Sequence, residues 1–146
     1  MNIETATPEM LEEWVGLRQA LWPEEPLAGL RENASGLFGN PNAVVFLARS
    51  DTGHAIGFAE ATLRRDYVNG CETSPVAFVE GLYVAEDSRR RGVAQALCAA
   101  IAAWARAKGM RELASDVLLD NNLSQDVHEA LGFAETERVV YYRKLL

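Results

Sequence analysis

The chain has 146 residues, of which 49% are hydrophobic and 24% are charged, and its formal net charge is −7 at pH 7. This length and composition predict one globular domain spanning residues 1–146, large enough to bury a hydrophobic core. The excess of 21 acidic over 14 basic residues argues against nucleic acid as the main partner and is compatible with a cationic small ligand.

The sequence predicts neither a targeting segment nor a membrane span. The opening residues, MNIETATPEM, contain no basic region followed by an apolar run, and no stretch approaches the roughly 18 apolar residues that a membrane span needs. We therefore expect a cytoplasmic protein without a membrane partner. Cys71 and Cys98 lie in unrelated sequence contexts, so we expect two reduced thiols, no disulfide and no metal site.

The first half of the chain predicts a strand, two helices and two further strands. Residues 1–6 alternate like a strand, and Thr7 is the expected cap of a helix that begins at Pro8 and ends at WPEEP. Arg18 is the polar exception on the apolar face of this helix. A second helix is expected over about residues 27–38, and two strands joined by the turn SDTGH follow it.

The second half predicts a loop, YVNGCETSP, and then an apolar strand, VAFVEGLYV. An amphipathic helix follows, with Val93, Leu97, Ile101 and Trp104 on one face. Next come a short strand, RELASDV, a helix within NNLSQDVHEALGF that ends at Gly132, and a final strand, ERVVYYRKLL. The order βααβββαβαβ predicts an α/β fold of the mixed α+β type, with a twisted mixed sheet flanked by helices.

Three arginines, Arg89, Arg90 and Arg91, stand where the amphipathic helix begins, although a helix N-terminus favours acidic residues. Gly92 lets a ligand approach the backbone closely, and the N–H groups of roughly residues 91–95 would point at one spot. This combination predicts a site for phosphate or pyrophosphate. The two familiar phosphate motifs, G-x-x-x-x-G-K-[ST] and G-x-G-x-x-G, do not occur.

The same segment, Arg89-x-x-Gly92-x-Ala94, follows an apolar strand, opens a helix and precedes HEALGF. This arrangement resembles the GNAT superfamily of N-acetyltransferases, whose acetyl-CoA pyrophosphate loop reads R/Q-x-x-G-x-G/A. The resemblance implies a splayed sheet with helices on both faces and acetyl-CoA as co-substrate. The cofactor-binding residues that it implies are Leu82, Tyr83, Val84, Arg89, Arg90, Arg91, Gly92, Val93, Ala94, Gln95 and Asn121.

The resemblance also gives the strand EGLYV a role, because the pantetheine arm of acetyl-CoA would pair with its backbone. Gly81 then marks either a bulge that suits this pairing or an ordinary bend of the sheet. A free N–H near residues 82–84 would polarise the thioester carbonyl. Asn121 would bond the pantetheine or simply cap the next helix.

Longer segments, LRQALW, RRDYVNGCETSPVAFVEGLYV, ELASD, HEALGF and ETERVVYYRK, are similar to the aminoglycoside N-acetyltransferases that modify the 6′-amino group. This similarity implies transfer of acetyl from acetyl-CoA to that amino group by direct attack in a ternary complex, which confers antibiotic resistance. It also implies a homodimer, because members of this family are typically dimers. The residues that it places against the sugar are Trp22, Tyr67, Glu80, Asp116 and Glu137.

These residue types suit an aminoglycoside, since a polycation needs separated carboxylates and an aromatic face. Glu80 interrupts an apolar strand and Asp116 ends another, and a buried acid without a partner costs free energy. The alternative reading for both acids is an ion pair, and the candidate partners are Arg64, Arg111 and Arg138. Glu137 reads equally as a solvated charge, Trp22 as core and Tyr67 as loop packing.

We predict that Asp116, directly or through a water, accepts the proton that the attacking amine loses, with Glu80 as the competing base. The source of the proton for the leaving thiolate stays open among His128, Tyr142 and solvent. Two other functions stay open as well. One is acetylation of another cationic amine, a polyamine or a protein lysine, and the other is a non-catalytic acyl-CoA-binding module.

Overall fold

The computed structural model describes residues 1–146, and it places five strands and four α-helices along the chain. Short 3-10 turns at Pro8–Met10 and Glu86–Ser88 precede the first and third helices. The elements are β1 Asn2–Thr5, α1 Leu11–Leu21, α2 Leu27–Leu37, β2 Ala43–Arg49, β3 Ala55–Arg64, β4 Val76–Val84, α3 Val93–Ala107, β5 Leu113–Ala114 and α4 Asn122–Ala130.

The five strands form one sheet in the order β1-β2-β3-β4-β5. Neighbouring strands are antiparallel except β4 and β5, which are parallel. The β4–β5 ladder covers only Ala77 with Leu113 and Phe78 with Ala114, so the edge of β4 beyond Phe78 is open. The predicted mixed, splayed sheet is confirmed.

Helices cover both faces of the sheet, as predicted. Adjacent residues of β3, Phe58 and Ala59, are both fully buried and point to opposite faces because side chains alternate along a strand. Ala59 belongs to the cluster under α3, which includes Leu97 and Ile101. Phe58 belongs to the cluster under α1 and α2, which includes Trp14. The two clusters therefore sandwich the sheet and hold β3 and β4 between them.

The predicted start of the first helix needs correction, whereas the predicted end of the third helix is confirmed. Thr7 is extended and precedes the 3-10 turn that begins at Pro8, but its side chain makes no capping hydrogen bond. The α-helix itself begins three residues later than Pro8, at Leu11. The third helix ends before Lys108 and before Gly109, whose φ of 82° lies in the left-handed region that favours glycine.

Two sequence predictions about strands need correction. The expected strand RELASDV is reduced to Leu113–Ala114. The expected final strand over residues 137–146 is wrong, because this tail carries no strand and its side chains, such as Tyr141 and Tyr142, are exposed. Alternating β-branched and aromatic residues favour a strand only where a neighbouring strand supplies a ladder, and no strand of this chain pairs with the tail. Both cysteines are free, and no helix has the length and apolar character to cross a bilayer.

Candidate active site

The central feature of the site is a bulge in β4. Gly81 pairs with Glu60 of β3, whereas the next pair joins Val79 to Ala61, so Glu80 is the extra residue in β4. Bulges re-aim side chains and bend the strand that carries them. A Cβ on Gly81 would lie 2.8 Å from Cη2 of Trp22. The predicted bulge is therefore present, and glycine also permits the close approach of the Trp22 ring.

Beyond the bulge, β4 presents backbone donors to an open edge. The N–H of Ala85 donates to the carbonyl of Ile56 at 2.8 Å, and N–H groups point alternately to the two sides of a strand. The N–H groups of Leu82 and Val84 therefore point away from β3, where β5 does not reach, while that of Tyr83 points toward β3. Of residues 82–84, two thus present an N–H donor to the open edge, and each donor can bind a separate carbonyl group.

The start of α3 forms a second set of free donors. The first backbone bond of the helix runs from Ala96 N–H to the carbonyl of Gly92 at 3.0 Å, and no N–H of residues 90–95 has a backbone acceptor. Arg90 and Gly92 are both left-handed, with φ of 61° and 78°. Such a turn at a helix N-terminus is suited to an anion, because unpaired N–H groups and the helix dipole act together.

The three arginines of this turn have different surroundings. Arg89 donates from Nε to the carbonyl of Val84 at 2.9 Å, and its guanidinium lies 5.8 Å from the centre of the Tyr83 ring. Arg89 therefore ties the turn to the end of β4. Arg90 and Arg91 are exposed and take part in no ion pair, so their charges are free to face a ligand.

The Glu80 carboxylate is held by two residues of β3. Its Oε1 accepts from Thr62 Oγ1 at 2.6 Å and from Arg64 Nε at 2.9 Å, and its Oε2 accepts from Arg64 Nη2 at 2.7 Å. The ion pair considered as the alternative for Glu80 is therefore present, with Arg64 as the partner. The Glu80 bonds raise the pKa of Arg64, and the nearby charges of Asp116 and Tyr141 act in the same direction.

Asp116 is exposed and lies two residues after β5, close enough to Arg64 to affect the pKa of Arg64. No side chain hydrogen-bonds to it, in contrast to Glu80. The hydroxyl oxygen of the preceding residue, Ser115 Oγ, lies 2.7 Å from Nε2 of His128. Asp116 is therefore the acid of the pair whose carboxylate makes no hydrogen bond within the protein.

His128 is fixed from both sides. Its Nδ1 lies 2.7 Å from the carbonyl of Ser124, which can only accept, so the Nδ1 proton is donated there and Nε2 accepts from Ser115. His128 lines a small apolar cleft with Leu82 and Cys98. Tyr142, in contrast, lies on the tail with 92% of its surface exposed.

The other implied site residues lie around this centre. Trp22 packs edge-on against Phe58, with ring centres 6.2 Å apart, beside the bulge that carries Glu80. Tyr67 is exposed, in the loop between β3 and β4. Glu137 is also exposed, and Thr136 before it lies against that loop, since a Cβ on Gly70 would meet its Oγ1 at 2.1 Å. Trp22, Glu80 and Asp116 thus surround one region, and Tyr67 and Glu137 lie on the adjoining loop and tail.

The comparison with protein families decides which family these features represent. Residues 7–133 match the model of the acetyltransferase (GNAT) family. The chain belongs to the GNAT family.

Similar proteins agree with this assignment over the full length of the chain. The aminoglycoside N(6′)-acetyltransferase type 1 of Salmonella enteritidis is 48% identical over 144 residues, which are 99% of each chain. The protein of the same name from Serratia marcescens is 51% identical over 136 residues, 93% of each chain. A solved structure of AAC(6′)-Iy in complex with the bisubstrate analogue CoA-S-monomethyl-acetylneamine superimposes with a TM-score of 0.94, at 47% identity and with coverage of 99% of this chain and 98% of that one. The resemblance stated from the motifs is confirmed.

This GNAT chain also contains a buried ion pair that the sequence analysis missed. Arg18 of α1 donates from Nε and Nη2 to Glu60 of β3 at 3.1 and 3.0 Å, and Trp14 Nε1 donates to the same carboxylate at 3.2 Å. Arg18 is 6% and Glu60 3% exposed. Burial raises the pKa of Glu60, against the opposing effect of Arg18. Two features of the sequence could have indicated this ion pair: a basic residue on the apolar face of a helix, and an acidic residue inside the apolar run IGFAEAT.

Two further contacts stabilise the loops around the site. Glu112 accepts from the backbone N–H groups of Glu72 and Thr73 at 2.9 and 2.6 Å and from the Thr73 hydroxyl, which lowers the pKa of Glu112. Asn121 accepts from the N–H of Ser124 at 3.1 Å, so it does cap α4.

No group of three His, Cys, Asp or Glu side chains is arranged to hold a metal ion.

Proposed function

We propose that this GNAT protein is an aminoglycoside 6′-N-acetyltransferase, which transfers the acetyl group of acetyl-CoA to the 6′-amino group by direct attack in a ternary complex and so confers resistance. One observation carries the proposal. The bulge in β4 puts an acidic side chain, Glu80, two residues from Leu82, whose N–H points to an open strand edge. A cation-binding group and a carbonyl-binding group thus share one short segment, as transfer of an acyl group to a cationic amine requires.

Acetyl-CoA fits the second half of the site. The unpaired N–H groups at the start of α3, together with Arg90 and Arg91, suit its pyrophosphate. The open edge of β4 suits the amide groups of its pantetheine arm. We place Leu82, Tyr83, Val84, Arg89, Arg90, Arg91, Gly92, Val93, Ala94, Gln95 and Asn121 along this co-substrate, with Arg89 acting through the backbone of β4 and Asn121 also capping α4.

The acceptor amine requires a base, because a model ammonium group has a pKa near ~10 and is mostly protonated at pH 7. Asp116 has no side-chain partner, whereas Glu80 is held by Thr62 and Arg64. We therefore assign proton removal to Asp116, directly or through a water, and binding of the cationic sugar to Glu80, Trp22, Tyr67 and Glu137.

In the proposed reaction the amine nitrogen bonds to the acetyl carbon while the carbon–sulfur bond breaks. The N–H group of Leu82 or that of Val84, each facing the open edge of β4, stabilises the negative charge that develops on the carbonyl oxygen. CoA leaves as a thiolate and takes up a proton. Of the two side-chain sources considered, His128 donates its one ring proton to the carbonyl of Ser124 and Tyr142 is on the exposed tail, which favours solvent.

We further propose a homodimer that forms through the C-terminal tail. Its large apolar side chains are exposed, and an exposed apolar patch marks an interaction surface. They are Val139, Val140, Tyr141, Tyr142, Leu145 and Leu146. A strand-like segment without a ladder partner can pair with a second copy of the chain. Sedimentation velocity is expected to give a dimer that Val140→Glu weakens, and a monomer at all concentrations would contradict the proposal.

The remaining proposals concern context. One sheet carries both core clusters, which supports a single acetyltransferase domain over residues 1–146. The two free cysteines are typical of a reducing compartment and support a cytoplasmic location.

The function is tested by following release of free CoA thiol with kanamycin, spermidine and a lysine peptide as acceptors. The proposal predicts the highest kcat/KM with kanamycin. A higher value with spermidine or the peptide would assign the protein to another cationic amine. Binding of acetyl-CoA without turnover of any amine would indicate a non-catalytic module.

The residue assignment is tested by Asp116→Asn, with Asp126→Asn as the matched loss of an exposed carboxylate on α4. Removing a general base typically costs about 100-fold or more in rate, so kcat should fall by that order in the first variant and stay unchanged in the second. Circular dichroism should show both folded, because both side chains are exposed. Normal kcat in Asp116→Asn would refute its assignment as the base.

A further inference from the structure

A cation of the protein itself lies among the acidic groups of the acceptor region. The Arg64 guanidinium donates twice to Glu80, from Nε at 2.9 Å and from Nη2 at 2.7 Å. It also lies 3.5 Å from the centre of the Phe78 ring. The titratable groups near it are Glu80 from β4, Asp116 from the segment after β5 and Tyr141 from the tail.

We propose that Arg64 is a specificity-determining residue, because its guanidinium occupies the position on Glu80 that a substrate ammonium group needs and so competes with the substrate for that carboxylate. This inference rests on the proposed function. It concerns a residue that the sequence analysis considered only as a counter-ion for an acid. Arg64 then selects for acceptors that carry several cationic groups.

The hydrogen-bonding capacity of Glu80 shows why the two cations compete. An ionised carboxylate has about four acceptor positions, and Glu80 already accepts three bonds, two from Arg64 and one from Thr62 Oγ1 at 2.6 Å. Guanidinium and ammonium groups make the same kind of charge-assisted bond to a carboxylate. One acceptor position of Glu80 therefore remains, and a substrate ammonium group gains a second hydrogen bond to Glu80 only if Arg64 gives up one of its own.

The exposure of the pair makes this exchange possible. The side chains of Arg64 and Glu80 are 42% and 28% exposed, and ion pairs with access to water are weak. The guanidinium also lies over the Phe78 ring and near the charge of Asp116, and these two groups would hold it if it left Glu80. An acceptor with one ammonium group gains little by displacing it, whereas a polycation gains further contacts elsewhere in the site.

Arg64 also affects the proton balance of the acceptor. Carboxylates stabilise the ammonium form of an amine and thereby reduce the fraction that can attack, while a neighbouring positive charge has the opposite effect. With Arg64 in place, the negative charge of Glu80 is largely neutralised near the reacting amine. Loss of Arg64 should therefore strengthen binding of the cation and, at the same time, make its deprotonation harder.

The test compares Arg64→Met, which keeps an unbranched apolar side chain over Phe78, with Arg64→Lys, which keeps the charge. Arg31→Met is the matched control, because Arg31 makes the same two-bond contact to Glu12 at 2.9 and 3.0 Å and neither residue is assigned to the site. Glu80→Gln and the double variant Arg64→Met/Glu80→Gln complete the set. Kinetics with kanamycin are measured from pH 6 to pH 9 at saturating acetyl-CoA.

Arg64→Met is expected to lower KM for kanamycin by about threefold or more, the range of weak ion pairs. The apparent pKa of its kcat profile should move upward. Arg64→Lys should restore both values toward those of the wild type, and Arg31→Met should change neither. The gain in affinity should be absent when Arg64→Met is introduced into Glu80→Gln.

An unchanged or raised KM in Arg64→Met, with the protein folded by circular dichroism, would overturn the inference, as would the same gain in the Glu80→Gln background. If Arg64→Met does not fold, Arg64→Gln replaces it. Calorimetric titration of kanamycin into the CoA-bound protein gives the same comparison without turnover. The two claims can thus be tested separately. Absence of turnover in the wild type would contradict the proposed function, while an unchanged affinity of Arg64→Met for kanamycin would contradict only the role of Arg64.

Discussion

Replacing Arg18 by methionine is expected to lower the free energy of unfolding of the whole domain. Arg18 lies on α1, and its charged partner, Glu60, lies on β3 of the sheet. The substitution removes both bonds of Arg18 to Glu60 and the bond from Nη1 to the carbonyl of Leu30 at 2.6 Å. The Glu60 carboxylate, only 3% exposed, is left with the single donor Trp14 Nε1 at 3.2 Å.

The magnitude follows from this burial. Breaking a buried ion pair by removing one partner costs about 3–5 kcal/mol, which is a large part of the roughly 5–15 kcal/mol by which domains are stable. Urea unfolding followed by tryptophan fluorescence measures the change as a lower midpoint at unchanged m-value. Arg31→Met, which breaks the exposed pair with Glu12, should cost no more than about 1 kcal/mol.

A double variant separates loss of the pair from loss of packing. Arg18→Met/Glu60→Leu replaces both charges by apolar groups and should recover most of the lost stability, because an apolar pair avoids the burial of a lone charge. A loss below about 1 kcal/mol in Arg18→Met, equal to that of a surface pair, would refute the reasoning. The same conclusion would follow if the double variant were no more stable than the single one.

Two further substitutions follow from the same contacts. Gly81→Ala should cost about 1–3 kcal/mol in urea unfolding, because the new Cβ would lie 2.8 Å from Trp22, whereas Gly36→Ala, with open space around it, should be neutral or stabilising; equal effects would contradict the packing argument. Hydrogen bonds hold the pKa of Glu112 below its ordinary 4.5, so its stabilising effect is present above that value and is lost as pH falls through the folded pKa. The difference in Tm between the wild type and Glu112→Gln should therefore shrink from pH 7 to pH 3, and a constant difference would exclude this role.

The parts of the fold that the sequence predicted are those set by local patterns. The apolar strand, the arginine-rich turn and the following helix lie within residues 76–107, where alternation, a glycine and 3.6-residue periodicity each act over a few positions. Gly81 likewise marked the bulge correctly. The tail was predicted wrongly because a strand requires a partner, and ERVVYYRKLL shows the propensity without showing the partner.

The charges of the site were harder to predict because their partners are distant in sequence. Arg18 and Glu60 are 42 residues apart, and neither shows locally that the other neutralises it. Arg64 and Glu80 face each other only because β3 and β4 pair around the bulge. Sequence patterns identify the acidic residues of such a site, while the register of the sheet decides which of them are held in ion pairs.

The most direct test of the central claim compares neomycin with paromomycin, which differ in carrying an amino or a hydroxyl group at the 6′ position. Release of CoA thiol from acetyl-CoA is followed with each, and the product is examined by mass spectrometry and NMR. Turnover of neomycin is expected, with one acetyl group on the 6′-nitrogen, and turnover of paromomycin should be negligible. Equal turnover of both compounds, or acetylation of neomycin at another amino group, would contradict it.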